Sequence, residues 1–143
     1  MSTIFYSWQS KLPSKINKCF IRAALESAIR AVSRQFTVTE KLSIDEDMSG
    51  KSGSPDIINT ILTKIDFCSL FVADLTLIGI QERERVPNPN VVLEYGYALK
   101  SKRPERIISV MNVSFGSRDS LPFDLKSRCC SVMYDLNERS QCI

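Results

Sequence analysis

Short apolar runs alternate with segments of helical periodicity from one end of the chain to the other, and this order limits the possible fold more than any other feature. A strand, a helix and a further strand form a βαβ unit, which places its two strands parallel in one sheet. The sequence therefore predicts an α/β domain built on a mostly parallel sheet. The expected strands are residues 3–7, 39–44, 68–73, 106–111 and 131–134.

Three segments between these strands carry the signals of helices. The first helix is expected to begin near Lys15, and the other two at residues 54–56 and 88–89, where a capping residue precedes proline. Residues 79–86 have no useful periodicity and predict an exposed loop. In the first helix, the residues expected to face the sheet are Ile16, Phe20, Ala23, Ala24, Ser27, Ala28, Ala31 and Val32.

The composition excludes several classes of protein. The 143 residues fit a single domain spanning 1–143, since one core covers about 100–200 residues. The net charge of +3 is spread along the chain, which argues against a nucleic-acid duplex as partner. No apolar run approaches the roughly 20 residues of a membrane span, so we expect no membrane partner. There is no histidine, and the five cysteines lack CxxC spacing, so we expect a cytoplasmic protein with reduced thiols.

Polar residues follow the first three expected strands. Ligands of parallel α/β sheets bind at the carboxyl ends of the strands, which makes these residues candidates for substrate binding. Each has a structural alternative, since a large aromatic beside a strand end often covers a core, and Ser or Asp there often caps or turns the chain. The set comprises Ser7, Trp8, Gln9 and Ser10 after the first strand, Asp45, Glu46 and Asp47 after the second, and Asp74 after the third.

The third helix carries the residues that point most directly to chemistry. Asn90 and Glu94 are four positions apart, so they share a face near the helix N-terminus, toward the ligand crevice. Tyr95 is expected in the core, and Gly96 is expected to let the helix approach the sheet closely. The structural alternative for Glu94 is a solvated surface glutamate.

A carboxylate in such a crevice suits cleavage of an N-glycosidic bond without help from histidine. The transition state has oxocarbenium character, and the leaving base needs little acid catalysis. Glu94 could bind the ribose hydroxyls, stabilise the developing charge or attack the anomeric carbon, and the sequence leaves these roles open. Asp45 and Asp47 lack further ligands at metal spacing, so we expect no metal. We also expect no cofactor.

Four motifs together resemble those of bacterial TIR-like domains, the nucleotide-binding relatives of anti-phage effectors. They are IFYSWQS at 4–10, GSPDI at 53–57, FVAD at 71–74 and NPNVVLEYGYA at 88–98. The resemblance implies a flavodoxin-like three-layer sandwich with a five-stranded, mostly parallel sheet. It also implies an NAD nucleosidase, which binds NAD as its substrate and hydrolyses the bond between nicotinamide and ribose.

The same resemblance assigns roles to individual positions. Glu94 matches the catalytic glutamate, residues 7–10 match the loop that contacts the nucleotide, and residues 45–53 match the mobile BB loop. Asn90 stands where many TIR enzymes have tryptophan. TIR domains commonly act when assembled, so we expect self-association, activity that rises when molecules are brought together, and a further C-terminal region. The substrate-binding residues expected are Ser7, Trp8, Gln9, Ser10, Asp47, Asp74 and Asn90.

Two other functions are compatible with these patterns. The N-x-x-x-E-x-G-x-A pattern of residues 90–98 is also similar to that of nucleoside 2-deoxyribosyltransferases, whose glutamate is a covalent nucleophile. A deoxyribosyltransferase or a nucleotide N-glycosidase is therefore one alternative. The other is a nucleotide-binding or scaffold TIR module that binds partners and catalyses no reaction.

Overall fold

The computed structural model describes residues 2–36, 40–46, 55–81, 84–128 and 132–141. Asp47 and the rest of the loop from 47 to 54 lie outside the described residues. The strands are β1 (Ser2–Ser7), β2 (Leu42–Glu46), β3 (Leu70–Asp74), β4 (Leu77–Gln81), β5 (Glu84–Pro87), β6 (Ile107–Asn112) and β7 (Val132–Tyr134). The α-helices are α1 (Lys18–Gln35), α2 (Pro55–Phe67), α3 (Pro89–Ser101) and the short α4 (Phe123–Lys126).

Five strands form one sheet in the order β2-β1-β3-β6-β7, and every neighbouring pair is parallel. Helices cover both faces of this sheet, so the predicted flavodoxin-like three-layer sandwich is confirmed. The strand order reverses between β1 and β3, because the chain continues from β1 to one side and from β3 to the other. In open α/β sheets, such a switch point is where the crevice for a ligand forms.

Side chains alternate between the two faces of the sheet and fill a separate core on each face. On the face covered by α2 and α3, Phe5 and Phe71 are fully buried and stack with their ring centroids 6.0 Å apart. On the face covered by α1, Tyr6 and Val72 are fully buried. The polar residues at the strand ends are divided between the two faces in the same way.

Of the predicted buried stripe, Ile16 is buried but precedes α1, and the residues predicted within the helix are exposed, so the stripe predicted for the helix itself is wrong. The helix faces the sheet through Ile21, Leu25 and Ile29, of which Ile21 is buried and the other two are partly buried. The predicted small residues, Ala23 and Ala28 among them, are exposed. Both sets recur at helical spacing, and the set with the larger apolar side chains packs against the sheet because it removes more apolar surface from water.

Residues 79–86, predicted as an exposed loop, belong largely to a two-stranded antiparallel hairpin formed by β4 and β5. Leu77 pairs with Pro87 and Gly79 with Val86, with an irregularity in the register between them. The many charged residues of this segment led to the prediction of a loop. An antiparallel ribbon, however, needs apolar residues on one face only. The hairpin leads directly into α3.

Gly96 does not have the role predicted for it. This residue is exposed, and a Cβ atom added there would meet nothing within 4 Å. The small residue of α3 that is fully buried in the core against the sheet is instead Ala98. Among the described residues, none of the helices has the length and apolar character required to cross a bilayer.

Candidate active site

The start of α3 fixes which of its residues turn toward the sheet. Asn88 is the N-cap, and its side-chain oxygen accepts hydrogen bonds from the backbone N–H groups of Asn90 and Val91, at 2.9 and 3.4 Å. Pro89 follows at the first helical position, where its missing N–H has no cost. The predicted Asn-Pro helix start is therefore confirmed. The buried residues of the helix are Val91, Glu94, Tyr95 and Ala98.

Glu94 is turned into the molecule, with 6% of its surface exposed. Ser7, the last residue of β1, is fully buried and donates a hydrogen bond from Oγ to Oε2 of Glu94 at 2.5 Å. A short hydrogen bond to a carboxylate offsets part of the cost of burying it. The fold thus brings a hydroxyl and a carboxylate together at the carboxyl end of β1, beside the switch point of the sheet.

Asp74, at the end of β3, is fully buried and accepts four hydrogen bonds. Its Oδ1 accepts from the backbone N–H and the hydroxyl of Thr76, at 3.0 and 2.5 Å. Its Oδ2 accepts from Nε2 of Gln9 at 3.3 Å and from Nδ2 of Asn17 at 3.2 Å. These contacts make Asp74 and Gln9 part of the framework that holds the loops, and their predicted contacts with substrate stay predictions.

Sequence reasoning missed three members of this network, Asn17, Thr76 and Asn112. The Thr76 hydroxyl accepts from Nδ2 of Asn17 at 3.1 Å and from the backbone N–H of Asn112 at 2.9 Å. Nδ2 of Asn112 donates to Oδ1 of Asn17 at 3.2 Å and to the carbonyl of Leu136 at 2.8 Å. Asn112 is the last residue of β6, so the strand-end rule that selected Asp74 could also have found it. Asn17 and Thr76 carry no comparable signal in the sequence.

Trp8 and Glu94 lie on opposite faces of the sheet. Trp8 is half-buried against the core under α1, and Nζ of Lys18 lies 3.4 Å from the centroid of its ring. Ser7 and Trp8 are neighbours in sequence, so their side chains point to opposite sides. Asp74 belongs to the same side as Trp8, since it follows Val72 by two positions. The structure therefore joins Ser7 to Glu94 and Gln9 to Asp74.

The remaining predicted residues do not join either pair. Asn90 and Ser10 are exposed. The backbone N–H of Asn90 takes part in the cap of α3, whereas Glu94, one turn later, is buried. Residues four apart on a helix thus differ in exposure, because only the later one lies over the sheet.

Two tyrosines near the Asp74 network keep their protons at neutral pH. Burial raises the pKa of Tyr6 well above its usual range, and the charge of Asp74 raises it further. Burial also raises the pKa of Tyr134, again with a contribution from Asp74. The Tyr134 hydroxyl donates to the carbonyl of Ile16 at 2.7 Å. Both phenols therefore act as neutral hydrogen-bond donors and not as bases.

A scan against models of protein families gives no match, and a search of curated proteins gives none either. Among solved structures, the chain is similar to a 2-desoxiribosyltransferase from Leishmania mexicana, with 16% sequence identity and a TM-score of 0.48. The match covers 78% of this chain and 65% of that chain. The resemblance to TIR-like domains stays a prediction from the four sequence motifs.

Proposed function

We propose that this chain cleaves the N-glycosidic bond of a nucleoside or nucleotide, with Glu94 as the group that acts at the sugar. One observation carries the proposal: the Glu94 carboxylate is almost fully buried and receives a hydrogen bond from Ser7 at the carboxyl end of β1. Burying a charged group costs on the order of several kcal/mol, and pairing it offsets only part of this cost. A carboxylate kept at the ligand-binding edge of an α/β sheet is therefore a candidate for chemistry.

The reaction suits a carboxylate without an imidazole partner. As the bond between the base and the anomeric carbon breaks, positive charge develops on the sugar, and a carboxylate beside it stabilises that charge. The same group can form a covalent glycosyl intermediate, which water or a second base then resolves. Ser7, in this proposal, is a positioning residue, because its hydroxyl holds one carboxylate oxygen in place.

Two substrate classes follow from the sequence patterns. The TIR-like motifs favour NAD, which would yield nicotinamide and an ADP-ribose product. The N-x-x-x-E-x-G-x-A pattern of residues 90–98 favours 2′-deoxynucleosides, whose sugar would be transferred to a second base or to water. Both reactions break a bond between a sugar and a base, and both need the same carboxylate.

The test is chromatography of the products after incubation of the protein, at high concentration, with NAD or with 2′-deoxyadenosine in the presence and absence of free cytosine. Nicotinamide release indicates NAD hydrolysis, adenine release without cytosine indicates deoxynucleoside hydrolysis, and deoxycytidine formation indicates transfer. Glu94→Gln is expected to lower the rate by about 100-fold or more, since it removes the charge and keeps the shape.

Glu105→Gln is the matched control, because Glu105 is an exposed glutamate in the turn after α3. It should leave the rate unchanged. Turnover that survives in the Glu94→Gln protein would contradict the proposal. If the native chain turns over none of these substrates although it binds nucleotide, the scaffold or nucleotide-binding module is the better description.

A further inference from the structure

A cleft of about 420 Å³ opens beside the β4–β5 hairpin. Three segments form its walls: the residues that follow β1, the hairpin itself and the turn that follows β6. The contacts described for Ser7 and Glu94 do not involve it. The lining residues are Leu12, Leu77, Ile78, Gly79, Arg85 and Phe115.

The cleft lies at the carboxyl edge of the sheet, where the strand order reverses. Leu12 follows β1 and Leu77 follows β3, and these two strands flank the switch point. Chain segments that leave two such strands diverge and leave room for a ligand between them. Leu77 also packs in one core cluster with Val91 and Tyr95, which precede and follow Glu94 on α3. The floor of the cleft therefore shares its core with the turn of α3 that carries the proposed catalytic carboxylate.

The lining combines apolar surface with one positive charge. Leucine, isoleucine and phenylalanine side chains can cover the faces of a flat ring, and pockets of roughly 300–1,000 Å³ hold small organic ligands. Arg85 is the charged residue, and its Nη1 donates to the carbonyl of Phe115 across the cleft wall. That bond holds the guanidinium in place and uses one of several N–H donors in a group that matches the geometry of phosphate.

The hairpin and the turn after β6 are packed closely enough to make the cleft a built feature. Gly116 has a φ of +146°, and a Cβ atom there would lie 2.6 Å from Cδ1 of Leu77 and 3.3 Å from Cδ of Arg85. Two of the lining residues thus lie directly beside the backbone of this turn. Gly79 lies in β4, and a Cβ atom added there would meet nothing within 4 Å. This position therefore leaves the cleft open.

We propose that this hairpin cleft binds the nucleotide portion of the substrate, with the base on the apolar side chains and a phosphate on Arg85. The preferred substrate is then a phosphorylated nucleotide and not a neutral nucleoside. The reaction part of this inference rests on the proposed function, whereas the binding part rests on the cleft alone.

The test is isothermal titration calorimetry of the whole chain with AMP, UMP, adenosine, uridine and inorganic phosphate. At least one nucleotide is expected to bind about tenfold or more tightly than its own nucleoside, as a charged hydrogen bond to phosphate requires. Arg85→Gln should reduce that ratio to about one, because glutamine keeps a donor for the Phe115 carbonyl and loses the charge. Gly79→Leu should weaken the binding of nucleotide and nucleoside alike, since its side chain occupies the open cleft.

Two controls match these variants. Arg30→Gln removes the same charge from an exposed position of α1, and Gly96→Leu adds the same side chain at an exposed position of α3 where nothing lies within 4 Å. Both should bind nucleotide as the native chain does. Thermal unfolding of each variant separates loss of binding from loss of fold.

The inference is overturned if neither nucleotide binds more tightly than its nucleoside, if inorganic phosphate binds as tightly as the nucleotides, or if a folded Arg85→Gln protein keeps the preference. The Glu94→Gln protein should keep the preference for nucleotide over nucleoside, because that preference rests on Arg85. If the native chain binds nucleotides with this preference but turns over none of the substrates, the proposed function is refuted and the cleft assignment stands. Turnover without a preference for nucleotide over nucleoside would refute the cleft assignment and leave the proposed function standing.

Discussion

The hydroxyl of Ser7 and the carboxylate of Glu94 meet because β1 ends at Ser7 and α3 begins just over one turn before Glu94. Ser7 is the last residue of β1, and Glu94 lies just over one turn into α3, whose register is set by the Asn88 cap. A glutamate has several rotatable bonds, so a fixed donor restricts where its oxygens lie and, under the proposed function, where they lie relative to the sugar. The positioning of the carboxylate, and not its presence alone, is what this pair contributes.

Ser7→Ala is expected to lower kcat by about tenfold while KM changes little, because the lost hydroxyl orients Glu94 and is itself fully buried. Steady-state kinetics with the substrate identified by the chromatographic assay measures this split. Ser109→Ala is the control, since Ser109 is also a buried serine on the α2–α3 face and interacts with Tyr95. A rise in KM without a fall in kcat would mean that Ser7 contacts the substrate directly.

Asp74→Ala is expected to destabilise the fold by about 3 kcal/mol, since it leaves the donors of Gln9, Asn17 and Thr76 without their acceptor. Urea unfolding measures the change. Asp135→Ala, at an exposed aspartate just after β7, serves as the control and should stay within about 0.5 kcal/mol of the native chain. If Asp74→Ala unfolds like the native chain but loses affinity for nucleotide, the sequence-based assignment of Asp74 to substrate binding is the correct one.

At the scale of elements, the sequence predicted what depends on local signals. The Asn88-Pro89 start of α3 is such a signal, as is the continuous apolar run that became β3, and both are confirmed. Features that depend on tertiary packing and on pairing between distant segments could not be predicted from local sequence signals. The rotation of α1 depends on which apolar stripe removes more surface from water, and the β4–β5 hairpin depends on pairing between segments rich in charge. The site shares this limit, because periodicity predicts that Glu94 turns inward but not that Trp8 ends on the other face.

The turn after β6 provides a test of how tightly the hairpin is held. Gly116→Ala should destabilise the fold by about 1–3 kcal/mol, because its φ of +146° strains a residue with a side chain and the new methyl group meets Leu77. Leu77 is 2% exposed and belongs to the main core, so it has little room to move.

Gly96→Ala makes the same chemical change in open space inside a helix and should stabilise the fold by roughly 0.5–1 kcal/mol. Urea unfolding of the two proteins therefore gives shifts of opposite sign. Equal shifts would mean that the contact between Gly116 and Leu77 does not hold the hairpin.

At the scale of the whole molecule, the two faces of the sheet are covered unequally. The 18 residues of α1 include one buried residue, Ile21, whereas the 13 residues of α3 include four. Most of the stability of a helix in a protein comes from the packing of its buried face. Glu94 therefore stands on the better-anchored helix, while the face with Trp8 is covered by the more weakly held one.

Hydrogen exchange should reveal this asymmetry. Amides of α1 are expected to exchange at a lower free energy of opening than those of β1, β3 and α3, because α1 can detach while the core that contains Phe5, Phe71 and Tyr95 stays intact. Mass spectrometry of peptic fragments after timed labelling measures the order. Ala28→Gly, in the exposed middle of α1, should speed exchange in that helix and leave the nucleotide affinity proposed for the cleft unchanged. If peptides of α1 and α3 exchange together in the native chain, the molecule opens as one cooperative unit and the Glu94 site has no separate stability.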